Sequence, residues 1–240
     1  MSPGGRSERM GFLREAIARI GGETLSAGAR RGGLCEVLPA RHGDAPAAAA
    51  FALALARDAA QNLAGPRGAI VWIGDEASLR ERGALHAPGF WALGLDPEKI
   101  VLVRAADTRS ALWAIEEALR SPAPAAVVGE VENAARHCDL QATRRFLLAA
   151  RAGGVLGVLL HGAPAPGALS TAARERFEVR AMPGLWRAPA GGRLPVFGAP
   201  AWRARRLKGQ GAQEADDTSQ EREFSSAALS QPVHSWRARA

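Results

Sequence analysis

The residues best placed to do chemistry begin at Leu34. The run LCEVLPARHGDAPAAAAFALALA, Leu34 to Ala56, reads as a short apolar strand, a turn and a small-residue helix, the frame of a nucleotide phosphate site. Such a site works through glycines that let backbone N–H groups wrap the phosphates, a lysine for the β and γ phosphates, and a Ser or Thr for Mg²⁺. Between Ala40 and Ala50 there is one glycine, Gly43, with no lysine and no hydroxyl side chain. Neither the phosphate clamp nor the Mg²⁺ ligand can form there. Asp75 and Glu76 follow one apolar run and Glu130 closes another, where a nucleotide hydrolase keeps its water-polarising and Mg²⁺-binding carboxylates. Acids are also common at the polar ends of strands, and without a phosphate loop that plainer role is the one predicted. The sequence therefore predicts no catalytic residue and no cofactor.

Other constellations are weaker. His42, His86, His137, His161 and His234 are scattered, and no pair has the spacing of a helical or loop metal site. His137, Cys138 and Asp139 are adjacent, but neighbours on one loop seldom converge on one ion, and Asp139 is better explained as a helix cap. No metal site is predicted. There is no Gly-x-Ser-x-Gly elbow. Cys35 and Cys138, the only cysteines, fall in or beside core elements, which suits reduced, buried thiols in a cytoplasmic protein. No run of 18 apolar residues occurs, and the first 20 residues lack the apolar stretch of a signal sequence, so a cytoplasmic chain without a membrane partner is expected.

The elements that would carry these residues alternate. Phe12, Leu13, Ala16, Ile17 and Ile20 recur at helical spacing in an N-terminal segment, 1–32, that ends in a glycine-rich linker. From 33 to 208 the chain predicts one core domain. LCEVL, AIVWIGD, IVLVRA, AAVVGEV and VLGVLLH read as strands, the second so continuously apolar that both its faces must be covered. Between them run a buried helix from Asp44 and Pro46, a helix capped by Asp107, and a helix capped by Asp139 and stopped by Gly153 and Gly154. Trp72 and Trp113 are expected in the core. Strands alternating with helices argue for a parallel sheet with helices on both faces, an α/β fold. RFEVRAMP and LPVFGAPAWRARRL then read as shorter strands, hairpins on a sheet edge. Residues 209–240 are polar and read as a disordered tail, with Trp236 beside Arg237 and Arg239 near its end.

Charge is the remaining signal. The net charge is +7, and from Leu140 to Lys208 there are 11 arginines and one lysine against Glu175 and Glu178. An excess of that size favours a polyanion or an acidic protein surface. Arg174 and Arg176 precede or open a strand, and Trp202 stands beside Arg203, Arg205, Arg206 and Lys208. Arginine interleaved with an aromatic suits single-stranded nucleic acid, through phosphate pairing and base stacking, and suits an acidic protein groove equally well. These residues are the expected partner- or DNA-binding set.

Three stretches, taken in order and spacing, carry a resemblance: APGFWALGLDPEKIVLVRA, AVVGEVENAARHCDLQATRRFLLAARAGGVLGVLL and TAARERFEV. From about Gly33 to Gly211 the chain resembles the ImuA family, RecA-like accessory proteins of bacterial damage-induced mutagenesis that are also related to the SulA division inhibitors. The family motif of Asp-Leu followed by Arg-Arg is met by Asp139, Leu140, Arg144 and Arg145. The resemblance implies a RecA-like parallel sheet flanked by helices, with a degenerate phosphate loop at Leu34–Ala56 and with Gly129 and Glu130 at the place of RecA's Mg²⁺-binding aspartate. It implies a non-catalytic scaffold in SOS mutagenesis and error-prone translesion DNA repair. Its partners would be an ImuB-like Y-family polymerase homologue and an error-prone C-family DNA polymerase, with RecA and single-stranded DNA as further contacts. The alternative it carries is a SulA-like division inhibitor acting on a tubulin-like protein.

Overall fold

A computed structural model describes residues 31–60, 68–132, 137–164, 170–183, 201–209 and 221–225. The expected N-terminal helix, residues 194–200 of the expected strand LPVFGAPAWRARRL and most of the segment after 209, Trp236 included, lie outside the described residues.

The alternation read from the sequence becomes one mixed sheet. Its strands are β1 (Leu34–Pro39), β2 (Ile70–Asp75), β3 (Ile100–Ala105), β4 (Ala126–Val131), β5 (Leu156–His161), β6 (Glu175–Met182), β7 (Ala201–Lys208) and β8 (Glu221–Ser225). They lie in the order β3-β2-β4-β5-β1-β6-β7-β8. β1 to β6 are parallel, and β7 and β8 add antiparallel at one edge. Residues 221–225 were expected in a disordered tail; their backbone instead continues the ladder beside β7.

Helices α1 (Ala45–Ala60), α2 (Glu76–Arg82), α3 (Ala87–Ala92), α4 (Thr108–Arg120) and α5 (Leu140–Gly153) fill the connections. α1 packs across β1, β4, β5 and β6 on one face; α4 and α5 pack on each other and on the opposite face. Both faces of the central strands are thus covered, which is why β1, β4 and β5 are buried end to end. Under α1 the core holds Phe51, Leu55, Trp72, Val128, Phe177 and Trp202, with Phe51 and Phe177 edge to face at 5.2 Å. On the other face it holds Leu34, Ile73, Ile115, Leu119, Phe146 and Leu159. Burying each of these large side chains contributes roughly 1.5–3 kcal/mol.

Local signals set the helix ends. Asp107 accepts from Ser110 N at 2.7 Å and Asp139 from Ala142 N at 2.7 Å, each capping its helix as the sequence predicts. α5 stops at Gly154, whose backbone is left-handed at φ 63°. One residue earlier, a Cβ on Gly153 would collide with the Leu119 carbonyl oxygen, so the glycine lets the ends of α4 and α5 meet. No helix among the described residues is long and apolar enough to cross a membrane.

Candidate functional site

In open parallel sheets, ligands gather outside the carboxyl ends of the strands, near the point where strand order reverses. Here β1 is that strand: its chain leaves toward β2 on one side, while β6 pairs on the other. The turn after β1 is a short 3₁₀ segment, His42–Asp44. Arg41, His42 and Gly43 are exposed, and Asp44 turns inward so that its Oδ1 accepts from Ala181 N at 2.9 Å. Asp44 N is spent on Arg41 O at 3.0 Å. Gly43 has no left-handed backbone, and a Cβ there would meet nothing within 4 Å. Asp44 thus ties the turn that leads into α1 to the backbone of β6.

The carboxylates at the strand ends have protein partners. Asp75 caps α2 through Ser78 N at 2.8 Å and accepts from the Thr108 hydroxyl at 2.6 Å. Burial opposes its ionisation, but the hydrogen bonds from Thr108 and Ser78 outweigh it and hold the carboxyl below its usual range. Glu130 accepts from Arg82 Nε at 2.5 Å and from Trp72 Nε1 at 3.1 Å. Arg82 also binds Glu132, and this cross-link lies over Gly162. The acid that closes β4 is thereby neutralised and oriented inside the protein.

A second polar cluster spans β5, β1 and β6. Glu36 is 1% exposed, and its Oε2 accepts from Arg176 Nε at 2.8 Å. Arg176 Nη2 lies 2.7 Å from the same oxygen but off the hydrogen-bonding line, so that contact is ionic. The Thr171 hydroxyl donates to Glu36 Oε1 at 3.0 Å, and His161 Nε2 approaches that oxygen to 3.6 Å without a hydrogen bond. Burial raises the Glu36 pKa; His161 and Arg176 outweigh it, and the carboxyl sits below its ordinary value. Lys208 Nζ closes the group by donating to Thr171 O at 2.7 Å. Sequence reasoning missed this cluster. Its one local signal is a lone acid inside the apolar strand LCEVLP, which demands a buried partner.

The predicted basic set therefore divides. Arg176 is buried against Glu36. Arg205 pairs with Glu178 at 2.8 Å, and Arg206 lies 3.6 Å from Glu175 and over the Phe177 ring at 5.7 Å. Trp202 is 1% exposed and belongs to the core under α1, which corrects the expectation of a stacking platform: the ring is out of reach of a base. Arg174 is exposed, and Arg203 and Arg205 are partly so. The Asp-Leu and Arg-Arg residues divide as well. Asp139 caps α5, and Arg145 reaches across to Glu116 on α4, which also binds Arg120. Leu140 and Arg144 are exposed.

Both thiols are buried and free. Burial, then the carboxylates of Glu175 and Glu36, push the Cys35 thiol far up; Cys138 is pushed up to about 12 by burial and by Glu36 and Asp139. Among the described residues, no group of three or more His, Cys, Asp or Glu side chains could hold a metal ion.

No protein-family model matches the chain. Protein ImuA from two strains of Caulobacter vibrioides, NA1000 / CB15N and ATCC 19089 / CIP 103742 / CB 15, is 38% identical over 97 residues. The match takes in 40% of this chain and 36% of each relative, so the chain matches just over a third of the length of these curated relatives. Among solved structures, SulA from Pseudomonas aeruginosa is similar at 20% identity and a TM-score of 0.40, over 53% of this chain and 96% of that one. The likeness to ImuA is thus one of a 97-residue segment.

Proposed function

We propose that this protein is a non-catalytic accessory factor of damage-induced, error-prone translesion DNA synthesis. It acts with an ImuB-like Y-family polymerase homologue and a C-family polymerase; RecA and single-stranded DNA are further contacts. The observation that carries the reading is the 38% identity to ImuA over 97 residues. The sheet fits a RecA-like core whose nucleotide chemistry has been replaced by internal packing. Asp44 closes the turn where a phosphate loop would open, and Arg82 and Trp72 occupy the carboxylate of Glu130. What persists is a rigid frame that presents side chains to partners.

Leu140 and Arg144, exposed and outside both the α5 cap and the Arg145–Glu116 pair, form the contact proposed for the polymerase homologue. Of the predicted basic set, Arg174, Arg203 and Arg205, exposed or partly so, face DNA or an acidic partner surface. Co-expression with the ImuB-like protein tests this. The two co-purify, and Leu140→Asp with Arg144→Glu weakens the association while leaving the unfolding midpoint in place. Failure of the wild-type chain to associate overturns the reading.

A further inference from the structure

β7 carries four cations, Arg203, Arg205, Arg206 and Lys208, and no acid. Its period of two buries Trp202 and Ala204 and leaves Arg203 and Arg205 on the other face, where Arg205 is held in place by Glu178 of β6 at 2.8 Å. The strand laid on the outer edge of β7 is the chain's own β8, antiparallel and in a telling register. Glu223 stands opposite Arg203 and Glu221 opposite Arg205, while Arg222 falls opposite the small Ala204. Acids two residues apart thus meet arginines two residues apart, the cross-strand arrangement that favours pairing. The approach to β8 has the same sign. Glu214, Asp216, Asp217, Glu221 and Glu223 put five of the chain's 24 acids into residues 214–223, against Arg222 alone, in a protein of net charge +7.

β8 is a small occupant for such an edge. It has five residues, and β7 is its one neighbour among the described strands. A short strand paired along one side opens locally at small cost. We propose that the outer edge of β7 is a strand-addition site for an acidic extended segment of a partner protein, and that β8 fills this site until that segment displaces it. The backbone of β7 supplies the ladder, and Arg203 and Arg205 select a strand with acids at alternate positions. A strand with cations there would set like charges against both arginines, and that rejection supplies the specificity. Arg203 and Arg205 are the partner-facing cations of the proposed function, and the inference rests on that reading. It adds the form of the partner: a ladder running from Ala201 to Arg205 is one that a polypeptide backbone can join and a phosphodiester chain cannot.

Fluorescence anisotropy with a labelled peptide of residues 219–227, SQEREFSSA, and the full chain tests it without the polymerase homologue, so it can fail while co-purification with that protein stands. The wild type binds the peptide weakly, because its own strand competes at a high effective concentration. Glu221→Lys with Glu223→Lys in the full chain loosens that strand and binds the peptide about tenfold tighter. A peptide with both glutamates replaced by lysine binds neither chain. Equal binding of SQEREFSSA to the two chains, or binding of the lysine peptide as tight as that of the acidic one, overturns the proposal. So does a double variant that gains affinity for a thymidine oligonucleotide and none for the peptide, which gives the edge to nucleic acid. Hydrogen exchange on the wild type checks the displaceable strand independently of any variant. Amides of Glu221–Ser225 exchange at least a hundredfold faster than those of Glu175–Met182, and equal protection of the two strands contradicts the proposal.

Discussion

Replacing Arg176 with Met deletes the guanidinium that faces Glu36 while keeping most of the apolar stem. Glu36 then keeps only the Thr171 hydroxyl as a hydrogen-bond donor among the contacts described, at 3.0 Å, with His161 3.6 Å away. Breaking a buried pair by removing one partner costs about 3–5 kcal/mol, because the remaining charge stays desolvated. Domains of this size have total stabilities of about 5–15 kcal/mol, so the variant folds but is marginal. With a urea slope of about 2–3 kcal/mol/M, the unfolding midpoint falls by about 1–2.5 M. Adding Glu36→Gln removes the stranded charge, and the double variant recovers most of the loss. The pair also sets an acid limit. The folded Glu36 carboxyl titrates below its unfolded value of about 4.3, so its contribution is complete above that pH and is lost as pH falls through the folded value. The double variant lacks this part of the acid slope. A cost below about 1 kcal/mol for Arg176→Met, or no recovery in the double variant, would show that water reaches the pair and refute the burial argument.

Four further outcomes are expected. Gly153→Ala destabilises by about 1–3 kcal/mol, because its Cβ meets the Leu119 carbonyl oxygen, whereas Gly43→Ala, facing open space, leaves the midpoint nearly unchanged; thermal melts compare the two. Asp139→Ala costs about 1 kcal/mol through loss of the α5 cap, read by denaturant unfolding. Neither Cys35 nor Cys138 reacts with a maleimide in the folded chain at neutral pH, while both react in denaturant, as mass spectrometry will register. Calorimetry with ATP and Mg²⁺ gives no binding heat, and Glu130→Gln does not create any, since residues 40–50 hold a single glycine and neither the lysine nor the hydroxyl of a phosphate loop.

The elements were legible because their signals are local. Continuous apolar runs marked β1 to β5, and Asp107, Asp139 and Gly154 marked helix ends through contacts within a few residues. Strand order was not legible, since the placing of β1 between β5 and β6 depends on pairings more than 100 residues apart. Sequence separation likewise hid Glu36 from Arg176, 140 residues away, and Trp72 from Glu130, 58 residues away. Trp113 illustrates a different failure. It was expected in the core beside Leu112 and Ile115, but α4 turns Ala111, Ile115 and Leu119 inward and leaves Trp113 67% exposed. Trp202 fails in the opposite sense. In AWRARR the period of two puts Trp202 and Ala204 on the buried face and Arg203 and Arg205 on the other, an alternation that outranks the charge count as a guide to which side chain meets a partner.

A role in damage-induced mutagenesis shows first in the frequency of ultraviolet-induced mutations in cells with this gene deleted, scored beside survival and with the intact gene restored as control. Induced mutation is expected to collapse with a modest loss of survival and to return with the gene. Unchanged induced mutation in the deletion would rule that role out and bring the division-inhibitor reading forward.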